Sequence, residues 1–374
     1  MSLASRVSAA VSSAPVVDLH THLFAPSFAQ LNRWGIDELL TYHYLAAELF
    51  RAEPKVSPCE YFRMPLTARA DLIWQSLFVR GYPLSEATSG VVTVLQALGL
   101  DPHARELQET RAFFAASPWP DHLDSILNLA GVEQVVMTND PTDPVEREAW
   151  LKGFPEDPRF LSALRLDRLL ASHHGAALAE ELDTWIRRMK PRYLALSVTE
   201  LKPIPPEVLQ ACLTGNLPLA LMIGVQRSVN PALKEAGDGM RIVDLAPLER
   251  LVAENPEVRF LVTTLARENA HSLCVVARKF ANVLPFGCWW FMNNPSLVEE
   301  TTLMRLEMLG ATFVPQHSDA RILEQLVYKW RHSRAAISRA LTRRYETFSL
   351  APTDDQINSD AQALMGGVAR GWLA

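Results

Sequence analysis

The residues best placed to do chemistry are two histidines near the N-terminus. His20 and His22 stand one residue apart at the end of an apolar run at residues 15–17. Side chains two residues apart on a strand project to the same face, so both imidazoles would point one way and could bind one divalent cation. Asp18 precedes them, and Asp319 follows the last predicted strand. This pattern favours a shared metal site over the alternative, a chance pair on a solvated strand.

The bulk composition is that of a globular enzyme. The chain has 374 residues, 48% of them hydrophobic, and a mean hydropathy of +0.02. This is enough for a large core, either in one α/β barrel or in two domains. The net charge is −6 and the pI is about 6.0. We therefore expect no nucleic acid and no anionic membrane surface as a partner.

The cysteines and the N-terminus bear on the compartment. Four cysteines, Cys59, Cys212, Cys274 and Cys288, lie far apart and form no Cys-x-x-Cys pair. This pattern predicts reduced core thiols in a cytoplasmic protein rather than disulfides or a zinc knuckle. Residues 1–14 contain no apolar segment of signal-peptide length, and no later stretch reaches the length of a membrane span. We expect neither export nor membrane insertion.

Eight apolar runs, mostly rich in β-branched or aromatic residues, predict strands. They are residues 16–20, 132–138, 160–166, 193–198, 217–224, 258–264, 282–286 and 311–316. Segments with helical periodicity lie between most of them, for example 176–190, 244–254 and 295–309. Apolar strands that are each followed by a helix indicate a parallel sheet, and eight such units fit an α/β fold of the (β/α)8 TIM-like barrel type. A doubly wound open sheet is the alternative, although no Gly-x-Gly-x-x-Gly follows any strand.

The connection between the first two predicted strands is unusually long. Residues 23–129 contain helical segments at 36–51, 67–78, 85–97 and 104–115, but no convincing buried strand. We interpret residues 1–374 as a single barrel domain and residues 23–129 as a helical insertion. It leaves the carboxyl face, where barrel active sites lie, so we expect it to roof the pocket. The tail predicts a long helix at 320–345 and a short one at 354–373.

Six motifs occur in a fixed order along the chain. They are Asp18-Leu19-His20-Thr21-His22, Tyr42-His43-Tyr44, Leu164-Arg165-Leu166-Asp167, Gly287-Cys288-Trp289-Trp290-Phe291, Gln316-His317-Ser318-Asp319-Ala320-Arg321 and Leu364-Met365-Gly366-Gly367. Together they resemble the uronate isomerases, a branch of the amidohydrolase superfamily, from about residue 16 to the C-terminus. The His-x-His pair alone would indicate only the superfamily. The resemblance implies a distorted (β/α)8 barrel that interconverts D-glucuronate and D-fructuronate, or D-galacturonate and D-tagaturonate, often with a bound divalent metal.

The resemblance also implies roles for individual residues. His20 and His22 match the metal-binding pair, and Asp319 matches the acidic residue after the eighth strand. Positions that line the substrate are matched by Tyr44, Arg165, Arg321 and, more weakly, His43. Two imidazoles and one carboxylate form a small ligand set that water or sugar hydroxyls must complete, and zinc is the default ion for it.

Aldose–ketose isomerisation makes chemical demands that can be stated independently. A proton moves between C1 and C2 through an enediol-like species, so the site needs a base and positive charge near the developing oxyanion. Asp319 is the candidate base, with metal ligation or an ion pair with Arg321 as its alternatives. Tyr44 could shuttle the hydroxyl proton or could simply pack on its helix. Arg165 and Arg321 carry forked donors suited to the uronate carboxylate.

Trp289 and Trp290 follow the seventh predicted strand. Either could form an apolar wall beside the sugar or pack in the core. The fifth predicted strand ends without a histidine, which disfavours a binuclear hydrolase. Two alternatives remain: a mononuclear metal-dependent hydrolase or decarboxylase of the same superfamily, and a catalytically silent protein that binds sugar acids. The expected partner is a small-molecule sugar acid, and the chain could form a homo-oligomer.

Overall fold

The computed structural model describes residues 1–153 and 157–374. Its centre is a parallel sheet in which seven described strands pair in the order β1-β2-β3-β4-β5-β8-β9. Their bounds are β1 (Val16–Thr21), β2 (Val132–Asn139), β3 (Phe160–Arg165), β4 (Leu194–Val198), β5 (Leu219–Ile223), β8 (Phe260–Thr264) and β9 (Val283–Pro285). A short antiparallel hairpin, β6 (Val225–Gln226) and β7 (Gly239–Met240), lies between β5 and β8 in the chain. Each of the seven sheet strands falls at a predicted strand.

Both faces of the sheet are buried, which explains why its strands are almost continuously apolar. On β5, Ala220 and Met222 belong to one cluster of buried apolar side chains. Leu219, Leu221 and Ile223 belong to a second, larger cluster. Successive residues of a strand point to opposite faces, so an apolar strand contributes side chains to both clusters.

The eighth predicted strand is represented by a short segment that contacts both ends of the sheet. Val314 forms a parallel bridge with Phe286, just beyond β9. Further along the segment, the Asp319 amide donates to the carbonyl of His20 at 3.1 Å, and the His22 amide donates to the carbonyl of Ala320 at 2.7 Å. The first and last strands of the sheet are therefore linked through residues 314–320.

Helices surround the sheet. They are α1 (Leu3–Ser13), α2 (Ile36–Leu40), α3 (His43–Ala52), α4 (Pro58–Tyr61), α5 (Leu66–Ile73), α6 (Glu86–Ala97), α7 (Gln108–Ala116), α8 (Trp119–Ala130), α9 (Pro144–Lys152), α10 (Asp167–Ser172), α11 (Gly175–Met189), α12 (Pro206–Gly215), α13 (Ala246–Glu254), α14 (Ala270–Lys279), α15 (Pro295–Leu309), α16 (Gln325–Glu346), α17 (Asp354–Gln362) and α18 (Val368–Leu373). Shorter helical turns span Pro26–Leu31, Trp74–Val79, Pro231–Gly237, Arg267–Asn269, Trp290–Met292 and Ala363–Gly367.

Two helix predictions were wrong in ways that bear on the site. The helix expected at 36–51 is broken into α2 and α3, because Tyr42 is extended with φ −57° and ψ 143°. The helix expected from residue 320 begins only at Gln325, whose side chain accepts the amide hydrogens of Arg321 at 2.8 Å and Ile322 at 3.1 Å. Helix α8 lies almost wholly within residues 23–129, which were expected to be helical, but no helical segment was named at its position.

The cysteines are all free thiols. Cys212, Cys274 and Cys288 are buried, as expected, whereas Cys59 is exposed, so a core position for it was wrong. Within the described residues, no helix combines the length and apolar character needed to cross a bilayer.

Candidate active site

The two histidines and the distant aspartate meet at the carboxyl end of β1. The Nε2 atoms of His20 and His22 lie 3.4 and 3.2 Å from Oδ1 of Asp319. All three ligand atoms lie within 4.8 Å of one another. Donors held tetrahedrally at about 2.0–2.1 Å from one zinc ion would be separated by about 3.3 Å. The triad therefore has the donor types and spacing that a small divalent ion requires.

The backbone around Asp319 is fixed by β1. Asp319 has a φ of +52°, in the left-handed region that few non-glycine residues adopt and that is concentrated at functional sites. Its amide is tied to His20, and the preceding amide, that of Ser318, donates to Oδ1 of Asp18 at 3.0 Å. Asp18 also accepts from Nε1 of Trp330 at 2.9 Å. The first strand thus positions the residue that completes the triad.

Burial and hydrogen bonding shift the pKa of Asp18 in opposite directions. Its carboxyl group is completely buried, which raises its pKa to about 6 despite the hydrogen bonds from Ser318, Trp330 and the His20 amide. By accepting hydrogen bonds from Ser318 and Trp330, Asp18 nevertheless helps to hold the segment that carries Asp319.

A second hydrogen bond orients the His20 ring. Its Nδ1 lies 3.1 Å from the Thr138 hydroxyl at the end of β2. With Nδ1 engaged by Thr138, the lone pair of Nε2 can face Asp319, which is the usual arrangement of a metal-binding histidine and its supporting hydrogen bond.

The protonation states suit cation binding. Burial alone would raise the pKa of Asp319, but the hydrogen bonds and charges of His20 and His22 outweigh it and hold that pKa well below its usual range. Burial and then the positive charge of Arg321 lower the pKa of His22 to about 3. Near neutral pH, Asp319 is therefore a carboxylate and His22 a neutral imidazole, which are the forms that bind metals.

A pocket opens onto the triad and encloses about 410 Å³ of empty space, open solvent at its mouth included. The lining residues are His20, His22, Thr138, Arg165, Asp167, Ala195, Leu196, Ser197, Met222, Arg227, Trp289, Trp290, Asp319 and Arg321. The wall therefore brings four further sequence candidates, Arg165, Arg321, Trp289 and Trp290, to the triad.

His43 and Tyr44 lie beside this wall rather than on it. The His43 ring is 5.5 Å from the ring of Trp290, and the Tyr44 ring is 4.6 Å from that of His43. Burial and then the positive charge of Arg321 lower the pKa of His43 to about 3. The break between α2 and α3 thus brings a neutral imidazole against Trp290, which lines the pocket, and Tyr44 against that imidazole.

Several buried polar atoms at or beside the pocket have no hydrogen-bond partner among the described residues. They are both ring nitrogens of His43 and of His317, Nε1 of Trp290, Nε of Arg321 and Oγ of Ser197. A buried polar group without a partner costs about 1–3 kcal/mol, so such groups are rare in folded proteins unless a ligand or water satisfies them. Their concentration here indicates a site prepared for a polar ligand.

Sequence reasoning missed Arg227. This residue follows β6 directly, its guanidinium lies 5.8 Å from the ring centre of Trp290, and it pairs with Asp238 at 2.6 Å. Strands of two residues leave no periodic signal, so the hairpin could not be recognised in the sequence.

His317 and Asp167 were overlooked although they stand in motifs already identified. The rings of His317 and His20 have centroids 5.2 Å apart. A Cβ at Gly287 would lie 1.9 Å from the His317 ring, so this glycine is needed for space. Asp167 contacts Nε of Arg165 at 3.3 Å and accepts from the Ser197 amide at 3.1 Å. The adjacency of His317 to His20 depends on tertiary packing, whereas Asp167 contacts Arg165 from only two residues away in the chain.

A parallel α/β architecture with a His-His-Asp cluster at the carboxyl ends of its strands defines the class, an α/β enzyme with a candidate mononuclear metal centre. Solved structures identify the family. A uronate isomerase from Bacillus halodurans C-125 shares 43% sequence identity with this chain and superposes with a TM-score of 0.95, covering 99% of this chain and 96% of that one. The chain belongs to the uronate isomerase family, and the resemblance read from its motifs is confirmed.

Two further solved structures share the fold at lower identity. A uronate isomerase from Thermotoga maritima has 16% identity and a TM-score of 0.79, with 100% of this chain and 97% of that one covered. A glucuronate isomerase from Caulobacter crescentus has 14% identity and a TM-score of 0.74, with 99% and 93% covered. No family model matches the chain, and neither does any curated protein.

Proposed function

We propose that this protein interconverts the aldose and ketose forms of a hexuronate, D-glucuronate with D-fructuronate or D-galacturonate with D-tagaturonate. Membership of the uronate isomerase family supports the reaction class. The observation that carries the proposal is that one pocket joins the His20, His22 and Asp319 cluster to the arginines Arg165 and Arg321. A sugar acid offers hydroxyls for the cluster and a carboxylate for the guanidinium groups.

The donor set supports a resident divalent cation. His20, His22 and Asp319 would hold it, with zinc as the ion that this ligand set favours, and it would polarise a substrate oxygen and offset developing negative charge. The spacing of the three donors supports this assignment.

The arginines account for recognition of an anionic substrate. Arg165 is anchored by Asp167, and its side chain is 26% exposed, so part of its guanidinium is free to meet a ligand. Nε of Arg321 is buried without a partner among the described residues. Both guanidinium groups remain charged at any physiological pH and offer the forked geometry that a carboxylate or a vicinal diol accepts.

Proton transfer falls to Asp319 and Tyr44. In the forward direction, the Asp319 carboxylate takes the proton from C2, the C2–H electron pair forms the C1–C2 double bond of an enediol, and O1 gains a proton. Returning a proton to C1 while O2 loses its hydroxyl proton yields the ketose, so the isomerisation consumes no water. Tyr44 would carry the hydroxyl proton, and Arg321 would stabilise the developing oxyanion.

The architecture at the sheet ends supports a (β/α)8 barrel as the finer description. The link from β9 through Val314 to the His20 and Ala320 contacts of β1 is what closure by an eighth strand would require. Residues 1–374 would then form one barrel domain, with residues 23–129 as a helical insertion over its carboxyl face. The contact of His43 with Trp290 supports that placement.

The remaining assignments follow from the same reaction. The partner is a small-molecule sugar acid, with no role for nucleic acid or membrane, and the chain could assemble as a homo-oligomer. The free cysteines fit a reducing cytoplasmic environment.

The direct test incubates purified protein with D-glucuronate and with D-galacturonate, with and without chelator, and measures the ketose. In deuterated water, we expect deuterium to enter at C2 of the recovered aldose. Asp319→Asn keeps the side-chain shape but removes both the base and a proposed metal ligand, so we expect it to abolish ketose formation. Carbon dioxide release, or hydrolysis without ketose, would replace this function by a decarboxylase or a hydrolase.

A further inference from the structure

A buried lysine stands next to Tyr44. Lys329 lies on α16 and is only 3% exposed, and its Nζ lies 3.3 and 3.5 Å from the two carboxylate oxygens of Glu86, the first residue of α6. The same Nζ lies 5.3 Å from the ring centre of Tyr44 and 5.1 Å from that of Tyr328. A buried ion pair adds little net stability relative to apolar side chains of similar volume, so the presence of this pair calls for another reason.

Tyr44 packs against the apolar core and is also contacted by a residue of another helix. It stands in the first turn of α3, and the residue that begins this turn, Tyr42, makes no capping hydrogen bond through its side chain among the described residues. The Tyr44 ring instead contacts the rings of Tyr42 at 4.9 Å and His43 at 4.6 Å, with the Lys329 cation as the charged contact. A cation within about 6 Å of an aromatic ring is attracted to it, more strongly where water is excluded.

We propose that the pair of Lys329 and Glu86 positions Tyr44 behind the pocket wall, against the His43 ring that contacts Trp290. This inference rests on the proposed function, in which Tyr44 carries the hydroxyl proton. Glu86 holds the ammonium in place, and the ammonium holds the ring. Because α16 follows directly on the segment that carries Asp319 and Arg321, the pair ties Tyr44 to the same segment as the catalytic carboxylate.

A role in positioning makes a specific kinetic prediction. We expect Lys329→Met, which keeps the apolar stem and removes the charge, to lower kcat about tenfold, equivalent to about 1.4 kcal/mol of transition-state stabilisation. KM should stay within about twofold and the bound metal should be unchanged, because neither the arginines nor the triad is altered. Lys329→Arg should recover most of kcat, since it restores the charge.

The matched control is Arg344→Met. Arg344 lies on the same helix and stacks over Phe348 at 4.5 Å, so the substitution removes a cation–aromatic contact of the same kind, about four turns away. We expect it to leave kcat unchanged. The double variant Glu86→Gln with Lys329→Met leaves no unpaired buried charge; it guards against misfolding of the single variant and should still show the low kcat.

A second readout separates this inference from the proposed function. The chain contains 7 tyrosines, so 3-fluorotyrosine labelling gives a short fluorine spectrum in which Tyr44→Phe assigns the Tyr44 signal. We expect Lys329→Met, but not Arg344→Met, to shift and broaden that signal, even if neither uronate is a substrate. An unchanged Tyr44 signal, or a kcat within twofold of the parent protein for both Lys329→Met and the double variant, would overturn the proposal.

Discussion

A buried acid–base pair joins the helical segment between β1 and β2 to the residues that follow Asp319. Glu324 is completely buried, and its Oε1 lies 2.7 Å from Nε2 of His122 on α8 and accepts the amide hydrogen of Gly35 at 3.0 Å. Removing one partner of a buried pair leaves the other without compensation, which costs about 3–5 kcal/mol. We therefore predict that His122→Ala lowers the free energy of unfolding by about 4 kcal/mol.

The same loss can be expressed as a melting temperature. For a chain of 374 residues, an unfolding entropy of about 2.1 cal/mol/K per residue gives roughly 0.8 kcal/mol/K in total. A loss of about 4 kcal/mol then lowers Tm by about 5 °C. Glu324→Gln keeps the shape and the acceptor for Gly35, so it should cost clearly less than His122→Ala.

Urea unfolding followed by circular dichroism, together with calorimetry, measures both quantities. The matched control is His332→Ala, since the His332 ring makes a hydrogen bond of 3.1 Å to the Thr93 hydroxyl and no ion pair among the described residues. It should cost about 1 kcal/mol, the value of an ordinary hydrogen bond. If His122→Ala costs no more than His332→Ala, the buried pair is not the connection argued here.

Three further predictions concern the pocket and the pH response. Removing the metal with a chelator should abolish ketose formation and lower Tm, and added zinc should restore both. His22→Ala should also lose ketose formation and have a lower Tm, and the same zinc concentration should restore neither. Gly287→Ala should destabilise the fold by more than about 2 kcal/mol in urea unfolding, because the added Cβ would overlap the His317 ring and the backbone φ is +66°. An unchanged free energy of unfolding would contradict the close approach of His317 to Gly287. Burial raises the pKa of Glu146 from 4.5 to about 6, so its contribution to stability is full below pH 4.5 and is lost as the pH rises through 6. Glu146→Gln should therefore remove roughly 2 kcal/mol of the fall in unfolding free energy between pH 4.5 and 7, and identical pH profiles for the two proteins would count against it.

The sheet was readable from the sequence because its strands are buried on both faces. Continuous apolar runs such as Leu219–Ile223 need no partner to be recognised, and each of the seven paired strands was expected. The positions at which helices break or begin could not be predicted from the sequence. The extended conformation of Tyr42 has no local signal such as proline or glycine, and the late start of α16 depends on how the Gln325 side chain caps the residues before it.

The residues of the candidate site also differ in how far the sequence could predict them. His20 and His22 could be paired from their spacing alone, because the geometry of a strand fixes their direction. Asp319 could be named from its position after the last predicted strand and from the order of the motifs. Arg227 could not be found, since its place on the pocket wall depends on a hairpin with strands of two residues. Local periodicity predicts elements, whereas convergence of side chains depends on contacts between residues far apart in the chain.

The segment from Ser318 to Gln325 shows why the site and the helices between β1 and β2 must be considered together. Its N-terminal half is held by the first strand, through Asp18 and the backbone of His20. Its C-terminal half is held by residues between β1 and β2, because Glu324 bonds to Gly35 and to His122. Asp319 and Arg321 lie between these two anchors, so both anchors hold the strained backbone at Asp319. We therefore expect a variant that kept the His-x-His pair but lost α8 to retain two residues of the candidate metal triad and to displace the third.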